Sequence, residues 1–222
     1  TYRFALSSGI ALAFFSITKE KIPTNPKVIV PVIIYSLLAV TLGLGLLFFG
    51  FDKTTALTGS LISAMAPLAV IIASAEFLKE RVTHTERLGI SLAFAGTIIT
   101  VVGPLIGDGS LAFGAFEGNM LIVASLIVDT VATILVKVIV RQKVSPAFLT
   151  HISFVIGFLT IAPLTLATST LSNVWNVILH APLSAHLGVW YMALLSGSLA
   201  YTLRNRAVKS IEGSETSVFS YL

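Results

Sequence analysis

The chain contains no cysteine, which excludes disulfides, thiolate nucleophiles and cysteine-based metal sites. Charge is scarce as well: Asp, Glu, Lys and Arg make up 11% of 222 residues, where soluble domains run near a quarter. Acids are the scarcer sign, 10 against 14 bases. No ATP-binding loop is present, nor a Gly-x-Ser-x-Gly turn or a His-Glu-x-x-His motif. His84, His151, His180 and His186 have no second ligand at metal spacing and read as interface residues near helix ends or loops. Catalytic residues, metal and cofactor are therefore all expected to be absent. Apolar residues take up the difference, 55% of the chain, with a mean hydropathy of +0.95. That places the sequence in the membrane class. Its bases fall in short runs between apolar stretches, a mark of topology rather than of nucleic-acid binding.

A spanning helix needs roughly 20 mostly apolar residues. Seven segments qualify or nearly so: Tyr2 to Thr18, Val28 to Gly50, Thr54 to Leu78, Arg87 to Ile106, Gly118 to Val140, Pro146 to Thr168 and His186 to Leu203. An eighth begins near Ser214. The expected fold is an all-α membrane protein, a multi-helix transmembrane bundle of seven complete or near-complete helices plus the start of an eighth. The chain opens on Thr1 and stops at Leu222 inside an apolar stretch, so both ends are expected to be cut. With the link after Thr18 placed in the cytoplasm, every one of the 14 bases except Arg3 and Lys53 falls on the cytoplasmic side, a strong positive-inside signal. The loop Gly107 to Glu117 carries acids and no base, and faces outward. Leu171 to Pro182, with Leu171, Val174, Trp175 and Ile178 on one face, is too short to span and reads as a helix lying on the outer surface. Pro67 and Pro163 predict kinks. Gly89, Ala93, Gly96 and Gly103, like Gly59, Ser63 and Pro67, form small-residue stripes whose main reading is close helix packing.

Ala56 to Met65 lines up with Gly213 to Leu222, setting Ser60 against Ser217 and Ser63 against Ser220, in opposite orientations. Inverted repeats are a recurrent plan of secondary transporters. Here the sequence resembles the drug/metabolite transporter superfamily, in its ten-helix EamA-like branch. The resemblance is carried by Thr1-Tyr-Arg3-Phe, by Thr54 to Pro67, by Phe77-Leu-Lys-Glu80-Arg81 followed by Leu88-Gly89 and Ala95-Gly96, and by Gly118-Asn119. It implies two inverted five-helix repeats, 1–112 without its first helix and 113–222 without its last helices. Arg3, Pro67, Glu80, Arg81, Gly89 and Gly96 are then structural motif residues. Lys79 in place of the usual Gly, Glu76 in place of an apolar residue, and Asp129 depart from the pattern and leave the substrate open.

Asp129 is the most informative residue. It falls near the middle of its segment, where a charge costs roughly 2.5–3.5 kcal/mol and such residues face the bundle interior. Ser125, Asp129, Thr133 and Lys137 recur every fourth residue and form one polar stripe. Asp129 is a candidate for binding a cationic group or exchanging a proton; the alternative is a structural acid bonded to a neighbouring helix. Ser196, Ser198, Tyr201, Thr202 and Asn205 make another helix unusually polar, so Ser198 and Tyr201 join the candidates, against the plainer reading that they bond their own backbone.

An intramembrane enzyme would need a nucleophile–base pair or a second deep acid, and a non-transporting structural protein would not need Asp129. The expected function is a secondary transporter, exporting small metabolites, amino acids or drug-like neutral or cationic solutes by alternating access. Its partners are the lipid bilayer, a small-molecule substrate, a proton as candidate co-substrate and a second copy as candidate homodimer, with no nucleic acid. The expected location is a prokaryotic plasma (inner) membrane. A sugar-phosphate or nucleotide-sugar carrier is the leading alternative and calls for deep bases, of which Lys137 is the one marginal candidate. The charge pattern predicts that single cysteines introduced into Gly107 to Glu117 react with an impermeant thiol reagent on intact cells, whereas those in Lys79 to Arg87 do not. Labelling of the basic link would reverse the topology.

Overall fold

In hydrocarbon no water meets the backbone N–H and C=O groups, so a spanning segment satisfies them within a helix. A computed structural model describes residues 1–20, 23, 25–79, 83–106 and 115–210, and among these every regular element is helical. In chain order they are α1 (Tyr2–Thr18), α2 (Pro26–Lys53), α3 (Ala56–Phe77), α4 (His84–Ile106), α5 (Phe116–Arg141), α6 (Pro146–Thr168), α7 (Leu171–Leu179) and α8 (Leu183–Lys209). Each of the seven expected segments is a helix, and α2, α3, α5, α6 and α8 are long and apolar enough to cross a membrane. Glu80, Arg81, residues 107–114 of the outer loop and the second repeat arm, Gly213 to Leu222, lie outside the described residues.

The helix ends follow local chemistry. Asn25 and Ser145 cap α2 and α6 by accepting from the backbone N–H of Lys27 and Phe148, each just ahead of a first-turn proline. Thr55 caps α3 in the same way. Lys79 ends α3 with φ 58, a left-handed conformation. That is why glycine is favoured there, and why the lysine departure is conformationally costly while its charge suits a helix C-terminus. Within α3 the chain turns at Ala64–Met65 and resumes as Ala66–Leu78 with Pro67 in its first turn, as expected of that proline. Pro163 leaves α6 unbroken to Thr168. The expected surface helix is α7, capped by Thr170 and ended at Leu179; none of its residues is buried.

Two stretches are wider than α-helical. Leu37–Gly43 in α2 and Met192–Ala200 in α8 are π-helical. The Ser198 hydroxyl donates to the carbonyl of Ala193, five residues back, at 3.2 Å.

The helices form two compact units, one of residues 1–41 and 137–210, the other containing 42–136. In the first, α1 packs against α6 and α8, and the start of α2 against α6. Phe154 of α6 lies at its centre, facing Phe4 and the edge of Tyr201, with its carbonyl accepting from Ser8 at 3.0 Å. Ser36 donates to Ser153 at 3.0 Å, and Thr41 bonds Thr160 at 2.7 Å, tying α2 to α6.

In the second unit, Ile62, Val101 and Ile122 make the core, and α2 meets α5 through glycine. A Cβ on Gly118 would lie 2.7 Å from the carbonyl carbon of Lys53, and one on Gly50 would lie 3.1 Å from the Gly118 oxygen. Beside this contact Lys53 pairs with Glu117 at 2.5 Å, and Thr54 donates to the buried Asn119 at 2.6 Å.

The small-residue stripe on α4 is buried at Gly103 but open at its first two glycines. Gly89 and Gly96 are exposed, and a Cβ on either would meet nothing within 4 Å among the described residues. Close packing falls instead to Gly50, Gly59, Gly118 and Gly157. These two classes predict opposite outcomes for one substitution. Gly118→Ala should lower thermal stability in detergent by about 1–3 kcal/mol, because backbone rather than a flexible side chain blocks the methyl. Gly89→Ala should be neutral or stabilise by up to about 1 kcal/mol. Equal effects of the two would contradict the packing described.

Candidate functional site

The sequence candidates divide between the two units. Ser125, Asp129 and Thr133 follow one another along α5 in the second; Ser198 and Tyr201 stand on α8 in the first.

On α5, Ser125 and Thr133 are buried and Asp129 is half-buried. The Ser125 hydroxyl donates to the carbonyl of Ile122 at 2.7 Å, and that of Thr133 to the carbonyl of Asp129 at 2.8 Å. Both hydroxyls thus use their only proton on their own helix and keep lone pairs to accept with. The Ser125 and Thr133 hydroxyls are thus satisfied on their own helix. Two turns beyond Asp129, Lys137 is buried at 5% exposure. On another face of α5, α3, α4 and α5 enclose a groove of ≈ 530 Å³ whose walls include Met65, Ala69, Phe94 and Ile134, with Phe77 and Ile127 exposed. Its hydroxyls, Thr97 and Thr130, donate to the carbonyls of Ala93 and Leu126, so the groove presents an almost wholly apolar wall. Sequence reasoning missed it, because apolar residues on a membrane helix read alike whether they face lipid or a groove.

On α8, Ser198 and Tyr201 are half-buried. One turn further, Asn205 is buried and donates to Thr150 of α6 at 3.0 Å. The expectation of an unusually polar helix holds, and the plainer reading also holds for Ser198, whose hydroxyl bonds its own backbone.

Three further residues are placed by the fold. Arg3, read as an outer-side motif residue, has a buried Nε with no hydrogen-bond partner among the described residues. His151 is buried, stacks on Phe14 with ring centroids 4.1 Å apart, and bonds the carbonyl of Ala147 through Nδ1 at 2.8 Å. His186 faces Tyr2, Nδ1 to hydroxyl, at 3.2 Å. Among the described residues no three His, Asp or Glu side chains group as a metal site would require.

Comparison with known proteins gives this architecture a family. Residues 1–102 match the EamA-like transporter family. The chain is 26% identical to the uncharacterized transporter YyaM of Bacillus subtilis (strain 168), over 98% of this chain and 70% of that protein. It is 27% identical to the uncharacterized transporter YetK of the same organism, over 74% of this chain and 49% of the relative. An uncharacterized transporter of Archaeoglobus fulgidus is 31% identical over 47% of this chain and 34% of its own length. Residues 1–102 therefore belong to the EamA-like transporter family, and the chain is an integral membrane protein of the transporter kind.

Proposed function

We propose that the protein is a secondary transporter that exports small metabolites, amino acids or drug-like neutral or cationic solutes across a prokaryotic plasma membrane, with its Lys- and Arg-rich links in the cytoplasm. Asp129 carries this reading: an acid midway along a helix long and apolar enough to span a membrane, on one stripe with Ser125 and Thr133. Asp129 either holds a cationic group of the solute or exchanges a proton that drives transport. The apolar groove on another face of α5 suits solutes with a hydrophobic body.

Alternating access would come from two inverted repeats, 1–112 and 113–222, rocking about a midplane site. The π-helical segments support that division. The register that sets Ala56 against Gly213 also sets Pro26 against Leu183, where α2 and α8 begin. The same register sets Leu37–Gly43 against 194–200, inside Met192–Ala200. The Gly89–Ala93–Gly96 face of α4, with both glycines exposed, is where the second copy of a homodimer would approach. A sugar-phosphate or nucleotide-sugar carrier is the second reading, favoured by buried Lys137.

The test is flux in proteoliposomes. Asp129→Asn keeps the size and removes the ionisable proton, and should lower uptake of a cationic or proton-coupled solute at least about tenfold, the loss of one charge-assisted contact, with the amount folded in the membrane unchanged. A proton-exchanging Asp129 predicts loss of the response to an imposed pH gradient. A cation-binding Asp129 predicts lost affinity for charged solutes alone. Unaltered kinetics in Asp129→Asn across pH and solutes would sink the assignment.

A further inference from the structure

The link between α6 and α8 carries more apolar surface than the protein covers. Both helices are long and apolar enough to cross a membrane, and α7 joins them through Ser169 and Thr170 on one side and His180 to Pro182 on the other. At about 100° per residue, Leu171, Trp175 and Leu179 form one row along α7, and Val174 and Ile178 form the row beside it. Ser172, Asn173 and Asn176 take the opposite side. Val174 and Ile178 are half-buried, whereas Leu171, Trp175 and Leu179 stay 69%, 59% and 61% exposed.

Exposed apolar side chains continue on either side of that row, with Leu164 and Leu166 near the end of α6 and Leu183 and Leu187 at the start of α8. On helices that cross a membrane such leucines face lipid, which is as apolar as they are. A short helix tied between two of them stays at the bilayer surface. There an indole suits the headgroup level, its ring apolar and its N–H wet. Charge is missing as well: no Asp, Glu, Lys or Arg occurs from Val144 to Leu203, so α7 has nothing to offer an acidic headgroup.

We propose that α7 is a lipid-binding element that senses how tightly the surrounding bilayer is packed. It seats Leu171, Trp175 and Leu179 about 5–10 Å into the boundary between headgroups and acyl chains, with Ser172, Asn173 and Asn176 turned to water. Interfacial helices combine apolar insertion with attraction to anionic lipid, and α7 has the first alone. Its hold therefore strengthens where headgroups part and ignores their charge. Through its short links it fixes the depth of the adjoining ends of α6 and α8. The inference rests on the membrane placement of the chain and holds for any solute.

Fluorescence tests it, because Trp175 and Trp190 are the two tryptophans of the chain and Trp190→Phe leaves Trp175 alone. The full chain is reconstituted in phosphatidylcholine vesicles with a fixed fraction of lipid brominated near either the headgroup end or the tip of the acyl chain. Shallow bromine should quench Trp175 more than deep bromine, and aqueous acrylamide should quench it less than free tryptophan amide. Phosphatidylglycerol and added salt should change neither. Loosely packed, unsaturated lipid should strengthen the shallow quenching over tightly packed, saturated lipid. Leu171→Asn combined with Leu179→Asn should weaken it and shift the emission to the red, whereas Ser172→Ala should not. If Trp190→Phe does not fold, Trp175→Cys in this cysteine-free chain carries a nitroxide, whose collisions with oxygen and with a water-soluble nickel chelate report the same depth. Acrylamide quenching as strong as for the free amide would place α7 in water, and quenching by neither reagent would place it under protein. Either result, a dependence on anionic lipid, or equal quenching in loose and tight lipid would overturn the proposal.

Discussion

Contact between backbones, rather than burial of side chains, holds this bundle together. Lipid is as apolar as leucine, so a helix gains little by trading one for the other, and association depends on how closely the main chains approach. Gly118 against the Lys53 carbonyl is such an approach, and Gly157 gives room to the Val40 side chain. In the second unit the close contact sets the neighbours: with α2 and α5 touching at Gly50 and Gly118, Lys53 reaches Glu117 and Thr54 reaches Asn119.

The same scarcity of water governs the hydroxyls. Many Ser and Thr side chains here return their proton to a carbonyl three or four residues back, as Ser91, Thr97, Thr130 and Thr168 do. A smaller set ties helices together: Ser36 to Ser153, Thr41 to Thr160, Asn205 to Thr150. What remains after these two uses is short: among the buried atoms of the described residues, Arg3 Nε, Asn205 Oδ1 and the hydroxyls of Ser7 and Thr202 in one unit, and those of Ser63 and Ser74 in the other, have no partner.

The helices were legible from composition because a spanning segment has to be long and uniformly apolar, and their ends because Asn25, Ser145 and Thr170 are capping residues in capping positions. Lys79 was visible as a departure but not its reason, since a positive φ leaves no trace in a lysine codon's neighbours. Partnering was less legible. Gly89 and Gly118 look alike in a string of letters, yet one faces open space and the other a carbonyl. Arg3 looked superficial because it opens its segment, and only the fold shows its Nε turned inward. For Asp129 the sequence supplied depth and stripe, and the structure added that its hydroxyl neighbours are occupied. The groove on another face of α5 had no signal at all, since hydropathy carries no information about concavity.

The widened turns in α2 and α8 alter phase. A π-type turn holds about one residue more than an α-turn, so side chains beyond it are rotated by roughly 100° from where an uninterrupted helix would put them. A polar face traced backward from Thr202 and Asn205 at 3.6 residues per turn would therefore emerge on the wrong side of α8 above Met192. One residue removed from Met192–Ala200 would swing His186 and Trp190 around the axis relative to Asn205 without changing any of them. The outer and inner halves of that helix thus present their faces under separate angular control, and α2 has the same freedom in matching register.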